Sequence, residues 1–196
     1  MNATPSHPEP SRTRLQDALV AAARELTVAN GWANVRMVDV AKAAGVSRQT
    51  VYNEFGSRQA LAEALAIGEV RSFAAAVREE LFAHGGDPRA AARATVLRVL
   101  TEAAANPLVR GILAGAGGGA DELLPYLTTR SGIVLEAAGD VVRDWIGVHL
   151  PGLGDDAAAL AAESIIRLTV SHIVLPSSSP EASADALAEV FVRLLR

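Results

Sequence analysis

Arg48, Gln49, Thr50 and Asn53 fall within six consecutive positions, directly after the turn Gly45-Val46-Ser47. Serine is a good N-cap, so Ser47 opens a helix here, and these four side chains lie on its N-terminal and outward side. Gln and Asn match the edge of adenine and Arg matches guanine, so the set could read bases in a major groove. Tyr52 offers a hydroxyl to a backbone phosphate. The amides that open the next helix at Ser57, with the charge of Arg58, could hold another. No other group carries chemistry as well. His7, His84, His149 and His172 are scattered and imply no metal. Asp121-Glu122 and Asp155-Asp156 read as solvated helix starts. No serine or threonine has a recognisable base partner, so no catalytic residue and no cofactor is expected.

The elements that must position the polar set are legible upstream and downstream. Thr13 with Gln16 reads as a capping box. Leu15, Leu19, Ala22, Leu26 and Ala29 then recur at helical spacing up to Asn30-Gly31. Met37, Val40, Ala41 and Ala44 give a short helix that Gly45 ends. Val51 and Phe55 turn the inner side of the next short helix toward a core, and Gly56 ends it. Two short helices joined at a glycine, behind a longer support helix, spell a helix-turn-helix. The glycine is needed because the turn favours positive φ.

The remaining chain is also helical by pattern. Helices are expected from Ser57 to about Phe82, Asp87 to about Asn106, Leu108 to Leu113, Leu123 to Leu127, Ser131 to Val148, Asp155 to about Leu175, and Pro180 to the end. No segment alternates like a strand, so the fold class is all-α with about nine or ten helices. The loop Gly115-Ala116-Gly117-Gly118-Gly119-Ala120 resembles a dinucleotide fingerprint, but that works only inside a βαβ unit; a loop beside a ligand pocket fits better. The chain is 50% hydrophobic, enough for a core without staples. It has no cysteine, which excludes disulfides, Cys-ligated zinc and thiol nucleophiles. No apolar run is read as approaching the ~18 residues of a membrane span, and the first residues do not read as a signal peptide; a cytoplasmic location is expected.

Net charge is −4, yet residues 1–60 carry seven bases against five acids while the rest carries eleven against seventeen. A basic N-terminal third on an acidic remainder suggests two tasks, one with a polyanion. The last two helices are apolar on more than one side, more than a surface helix needs. Packing one side on a second copy would form a twofold dimer, with Ile165, Leu168, Leu187, Val190, Phe191 and Leu194 at its interface. A ligand pocket is expected between the central helices, lined by Leu100, Ile112, Leu123, Tyr126, Leu127, Val134, Trp145 and His172. The shortage of charges there points to a small apolar or neutral effector.

The stretch AKAAGVSRQTVYNEFGSRQAL resembles the DNA-binding signature of the tetracycline-repressor (TetR) family of bacterial regulators. The turn Gly45-Val46-Ser47, Thr50, the pair Tyr52 and Phe55, and the entry Ser57, Arg58, Leu61 carry the likeness, supported by Gly31, Trp32, Asp39, Val40 and Ala41. The resemblance implies a homodimer that binds a palindromic operator in double-stranded DNA and releases it when a small molecule binds the C-terminal domain. Residues 1–11 would be a disordered arm, 12–57 the DNA-binding domain, and 58–196 the ligand-binding and dimerisation domain. Two departures stand out. Val35-Arg36-Met37 opens the second helix where the family has Thr or Ser, so Arg36 would take over a phosphate. Glu54 stands where the family has an aromatic, and must point away from DNA or pair with an arginine. The other reading is an all-helical enzyme or carrier for a hydrophobic molecule, with a purely structural hairpin.

Overall fold

A computed structural model describes residues 10–115 and 123–196, except the side chains of Pro10, Ser11, Gly115 and Leu127. The expected N-terminal arm falls almost wholly outside the described residues, as do Ala116–Glu122 of the glycine-rich loop and the acidic pair after it. The described residues form ten α-helices and no strand. They are α1 (Pro10–Asn30), α2 (Met37–Ala43), α3 (Arg48–Phe55), α4 (Arg58–Ala83), α5 (Pro88–Ala105), α6 (Pro107–Gly115), α7 (Leu124–Leu127), α8 (Gly132–His149), α9 (Asp155–Val174) and α10 (Pro180–Leu194), with a 3₁₀ turn at Trp32–Asn34.

Side-chain caps fix four of the starts. Ser47 accepts from the Thr50 amide, Ser57 from Ala60, Ser179 from Ala182, and Asp87 from both Arg89 and Ala90. Each satisfies amides that the first helical turn leaves unpaired. The capping box at Thr13 is not used: α1 already runs from Pro10, and Gln16 spends its amide on Glu54. A proline at the first helical position, pre-set in φ, starts the helix earlier than the box would. Gly45 and Gly56 sit at φ +68° and +71°, the turn conformations that set α3 between α2 and α4.

Two cores result. The N-terminal one joins Leu19, Trp32, Val40, Val51, Leu61 and Leu65, and it takes in Leu108 and Ile112 of α6. The second is built on Trp145 and Phe191, which are essentially inaccessible. Here α10 lies along α5. Buried Ala91, Ala92, Ala184 and Ala188 let the axes come close, and the ion pairs Arg89–Glu189 and Arg93–Asp185 fasten the rim. The long α4 belongs to both cores, through Leu61 and Leu65 at one end and Leu81 at the other.

Two expectations are corrected here. Ile165, Leu187 and Phe191 are buried within this protomer's own core, so they are not available to a partner. α5 and α9 fill the side of α10 that was assigned to a second copy, and Leu194 packs there too. Second, α9 is long and apolar enough, by length and composition, to cross a membrane, yet only 28% of that window is buried. Its inner face packs in the core through Ala161, Ala162, Ile165 and Ile166. Its outer face leaves Leu160 and Leu168 exposed, with Leu175 just beyond its end.

Candidate nucleic-acid interface and effector cavity

The polar set stands on α3. Val51 is fully buried and anchors the helix on Leu19, Val40 and Leu61 of the N-terminal core. The outward side is thereby fixed: Arg48, Gln49 and Asn53 are exposed, and Thr50 is half-buried. The Gln49 amide donates to the Asn53 carbonyl oxygen at 2.9 Å, so the two arrive as one pre-oriented pair. The Arg48 guanidinium lies 5.1 Å from the centre of the Tyr52 ring, a cation–π contact that stiffens both. Thr50 shares a 2.9 Å hydrogen bond with the capping hydroxyl of Ser47. Arg36 is exposed in extended backbone just before α2, and Ser57 is exposed at the start of α4.

Glu54 pairs with an arginine, as expected. Its carboxylate accepts from Arg12 at 2.9 Å and from Gln16 at 3.0 Å. The Arg12 guanidinium holds its pKa below the ordinary carboxylate value. The negative charge that would repel a phosphate is thus neutralised, and α1 is tied to α3.

Arg58, expected to add charge beside a phosphate, makes contacts within its own chain. Its Nε donates to the Val35 carbonyl at 3.0 Å and its Nη2 to the Trp32 carbonyl. The guanidinium stacks on the Trp32 indole at 4.6 Å. A planar fork that satisfies two carbonyls of one turn is a bracket: it locks the segment that leads into α2 onto the start of α4.

The expected pocket residues do not come together. Among the described ones, Val134 alone lines the main cavity. Leu100 and Trp145 belong to the second core, Ile112 and Leu123 to the first, and Tyr126 is buried on α7. His172 is half-buried with an Nδ1 that has no hydrogen-bond partner among the described residues. Leu127 lies on α7, and its side chain is outside the described part.

The cavity itself measures about 130 Å³ and lies among α4, α5, α6, α8, α9 and α10. Among the described residues, no charged one lines it. Its walls are Val, Ala, Ile, Leu and Phe, with Thr95 and Thr169 as the polar members. Small side chains leave the space: Ala74, Ala92, Ala103 and Ala138 stand where leucine would fill it. Thr169 donates its hydroxyl to the Ile165 carbonyl at 2.8 Å. The Thr95 hydroxyl is buried without a hydrogen-bond partner among the described residues. Apolar cavities of about this size can hold an apolar guest. The signal in the sequence was the run of alanine and valine on inward positions of α4, α5 and α8, which periodicity alone reads as core.

Residues 19–65 match the family described as bacterial regulatory proteins, tetR family, and residues 87–193 match the bacterial tetracyclin repressor C-terminal domain. The chain is 34% identical over 183 residues to the HTH-type transcriptional regulator AlkX of Mycobacterium tuberculosis, covering 93% of this chain and 84% of that protein. This chain belongs to the TetR family of transcriptional regulators. It also superposes on the crystal structure of the TetR-family repressor AlkX from Dietzia sp. strain DQ12-45-1b, implicated in biodegradation of n-alkanes, with TM-score 0.75, 33% identity and 91% and 94% of the two chains covered. The repressor QsdR of R. erythropolis shares the fold at TM-score 0.67 and 15% identity, covering 93% and 95%. In this TetR-family chain, then, α2 and α3 are the helix-turn-helix, and the cavity lies in the C-terminal domain. At the two departures in the signature, Glu54 is paired with Arg12, and Arg36 is exposed just before α2.

Proposed function

We propose that this chain is a repressor that binds a palindromic operator as a homodimer and lets go when a small apolar molecule enters the cavity. The observation that carries the reading is a cavity with no charged wall residue among the described residues, touching both α4 and α6, the two helices that also enter the DNA-binding core. Residues 12–57 would contact DNA. Arg48, Gln49, Thr50 and Asn53 would face base edges. Arg36, Ser47, Tyr52 and Ser57 would face the backbone, and Arg58 would hold the frame that presents them. The n-alkane connection of the Dietzia repressor fits the same wall chemistry, so the effector class is an uncharged hydrocarbon-like molecule.

The dimer face is the outer side of α9 with its neighbour α10. Leu160 and Leu168 on α9, Leu175 just beyond it and Val190 on α10 are exposed, and 28% of the apolar window of α9 is buried. A second copy related by a twofold axis covers such a face, and paired recognition helices then meet half-sites roughly 34–36 Å apart. The effector acts by its differential affinity for two spacings of those helices.

Thermal unfolding and operator anisotropy with an n-alkane series, hexane to decane, test the reading. Expected is a higher melting temperature and weaker operator binding with the same alkanes. Turnover of the alkane, or absence of DNA binding after selection from random sequences, would favour the enzyme-or-carrier reading instead.

A further inference from the structure

Glu69 stands on α4 where that helix passes from one core to the other. Leu65, one turn earlier, is buried in the DNA-binding core, and Val70, the next residue, lines the cavity. Its carboxylate is only 18% exposed and serves two other elements at once. One oxygen accepts from Arg24 Nε on α1, and the other accepts from Asn106 Nδ2 at 3.0 Å, at the junction of α5 and α6. Asn106 uses its remaining amide oxygen to accept from the Leu108 amide at 2.9 Å, which starts α6. α6 has two commitments of its own: Leu108 and Ile112 are buried in the DNA-binding core, while Val109 lines the cavity. One carboxylate therefore joins α1, α4 and the start of α6 at the point where the cavity wall meets the DNA-binding domain.

We infer that Glu69 is the positioning residue through which cavity occupancy reaches the DNA-binding domain, with Arg24 and Asn106 as its two arms. The inference rests on the ligand-responsive reading above. With the cavity empty, the three side chains hold α1 and α6 in one register, and this is the DNA-competent state. A guest that displaces Val70 or Val109 must move α4 against α6. The charge-assisted bonds at Glu69 have narrow geometry, so they break or swing rather than stretch. Packed elements respond as alternatives, not continuously, and α1 carries the change to α3 through Leu19 and the Arg12–Glu54 pair.

The test is the ratio of operator Kd with and without a bound alkane, which is the coupling between the two sites. For the wild type a ratio of about 5–150 is expected. Glu69→Gln removes the charge that Arg24 needs. Asn106→Asp keeps the cap on α6 but sets a carboxylate against Glu69. In both, the ratio falls below a third of the wild-type value, and alkane-free operator binding weakens toward that of the alkane-bound wild type. Arg78→Ala, which removes an ion pair between α4 and α8 remote from α6, leaves the ratio unchanged. Melting temperature and alkane affinity show which variants are folded. Should Glu69→Gln fail to fold, Asn106→Asp decides. Folded variants that bind alkane and retain the wild-type ratio would overturn the role of Glu69. A wild type that binds both alkane and operator with a ratio of one would instead overturn the ligand-responsive reading, and this inference with it.

Discussion

Arg58→Lys separates a bracket from a phosphate contact. Both side chains carry a positive charge, but only the guanidinium can fork to two carbonyls and stack on a ring. Arg58 donates to the carbonyls of Val35 and Trp32 and stacks on Trp32 at 4.6 Å. A hydrogen bond from a charged donor contributes ~1.5–3 kcal/mol and an exposed cation–π contact ~0.5–1 kcal/mol. Because Arg58 is half-buried, the lower ends apply; losing most of this set costs about 3 kcal/mol. For a chain of this size that lowers the melting temperature by roughly 6–12 °C. Circular dichroism melts of wild type, Arg58→Lys and Arg58→Ala measure it, with operator anisotropy at several salt concentrations alongside. Both variants should melt earlier and bind operator more weakly, lysine rescuing little. A phosphate contact gives the opposite pattern: lysine keeps wild-type affinity and melting temperature, and alanine flattens the salt slope by ~0.9 per lost contact. That pattern would refute the bracket.

Other substitutions probe other parts of the structure. Gln49→Ala should change preference at one base pair by ~1–3 kcal/mol; equal losses on operator and random DNA, measured by competition, would remove Gln49 from base readout. Ala138→Leu adds about three carbons to the cavity, each worth ~0.8 kcal/mol when buried without strain; unfolding should move up, operator binding should persist, and alkanes should no longer raise the melting temperature. Leu168→Glu places a charge on the proposed twofold face, and sedimentation should show monomers at concentrations where the wild type is a dimer. The lowered pKa of Glu54 contributes stability that is fully present above its ordinary value of 4.5 and is lost as pH falls through the depressed folded value. Melts from pH 7 downward should therefore show a smaller acid-side loss in Arg12→Ala, where the main cause of the shift is gone.

The helix-turn-helix was legible because its signals are local. Ser47, Gly45 and Gly56 mark its turns by backbone chemistry, and Val51 and Phe55 mark its inner side by spacing. The partner of Glu54 was foreseeable as an arginine, but not as Arg12, because a contact across 42 residues has no local trace. The cavity was not legible for a related reason. An inward alanine that packs tightly and one that borders a void look the same in sequence; Ala91 and Ala138 differ only in what lies opposite. The outward and inward sides of α9 and α10 were confused on similar grounds. Two apolar sides announce two partners, but only the packing of α10 on α5 shows which side its own chain already fills.

Operator anisotropy of the purified protein, on the sequence upstream of its own gene and on sequences selected from random DNA, with and without n-alkane, tests the central claim most directly. Two protomers per palindrome, binding that weakens with salt, and release by the same alkanes that raise the melting temperature are the expected results. Alkanes that bind and stabilise the protein while operator affinity stays unchanged would contradict it.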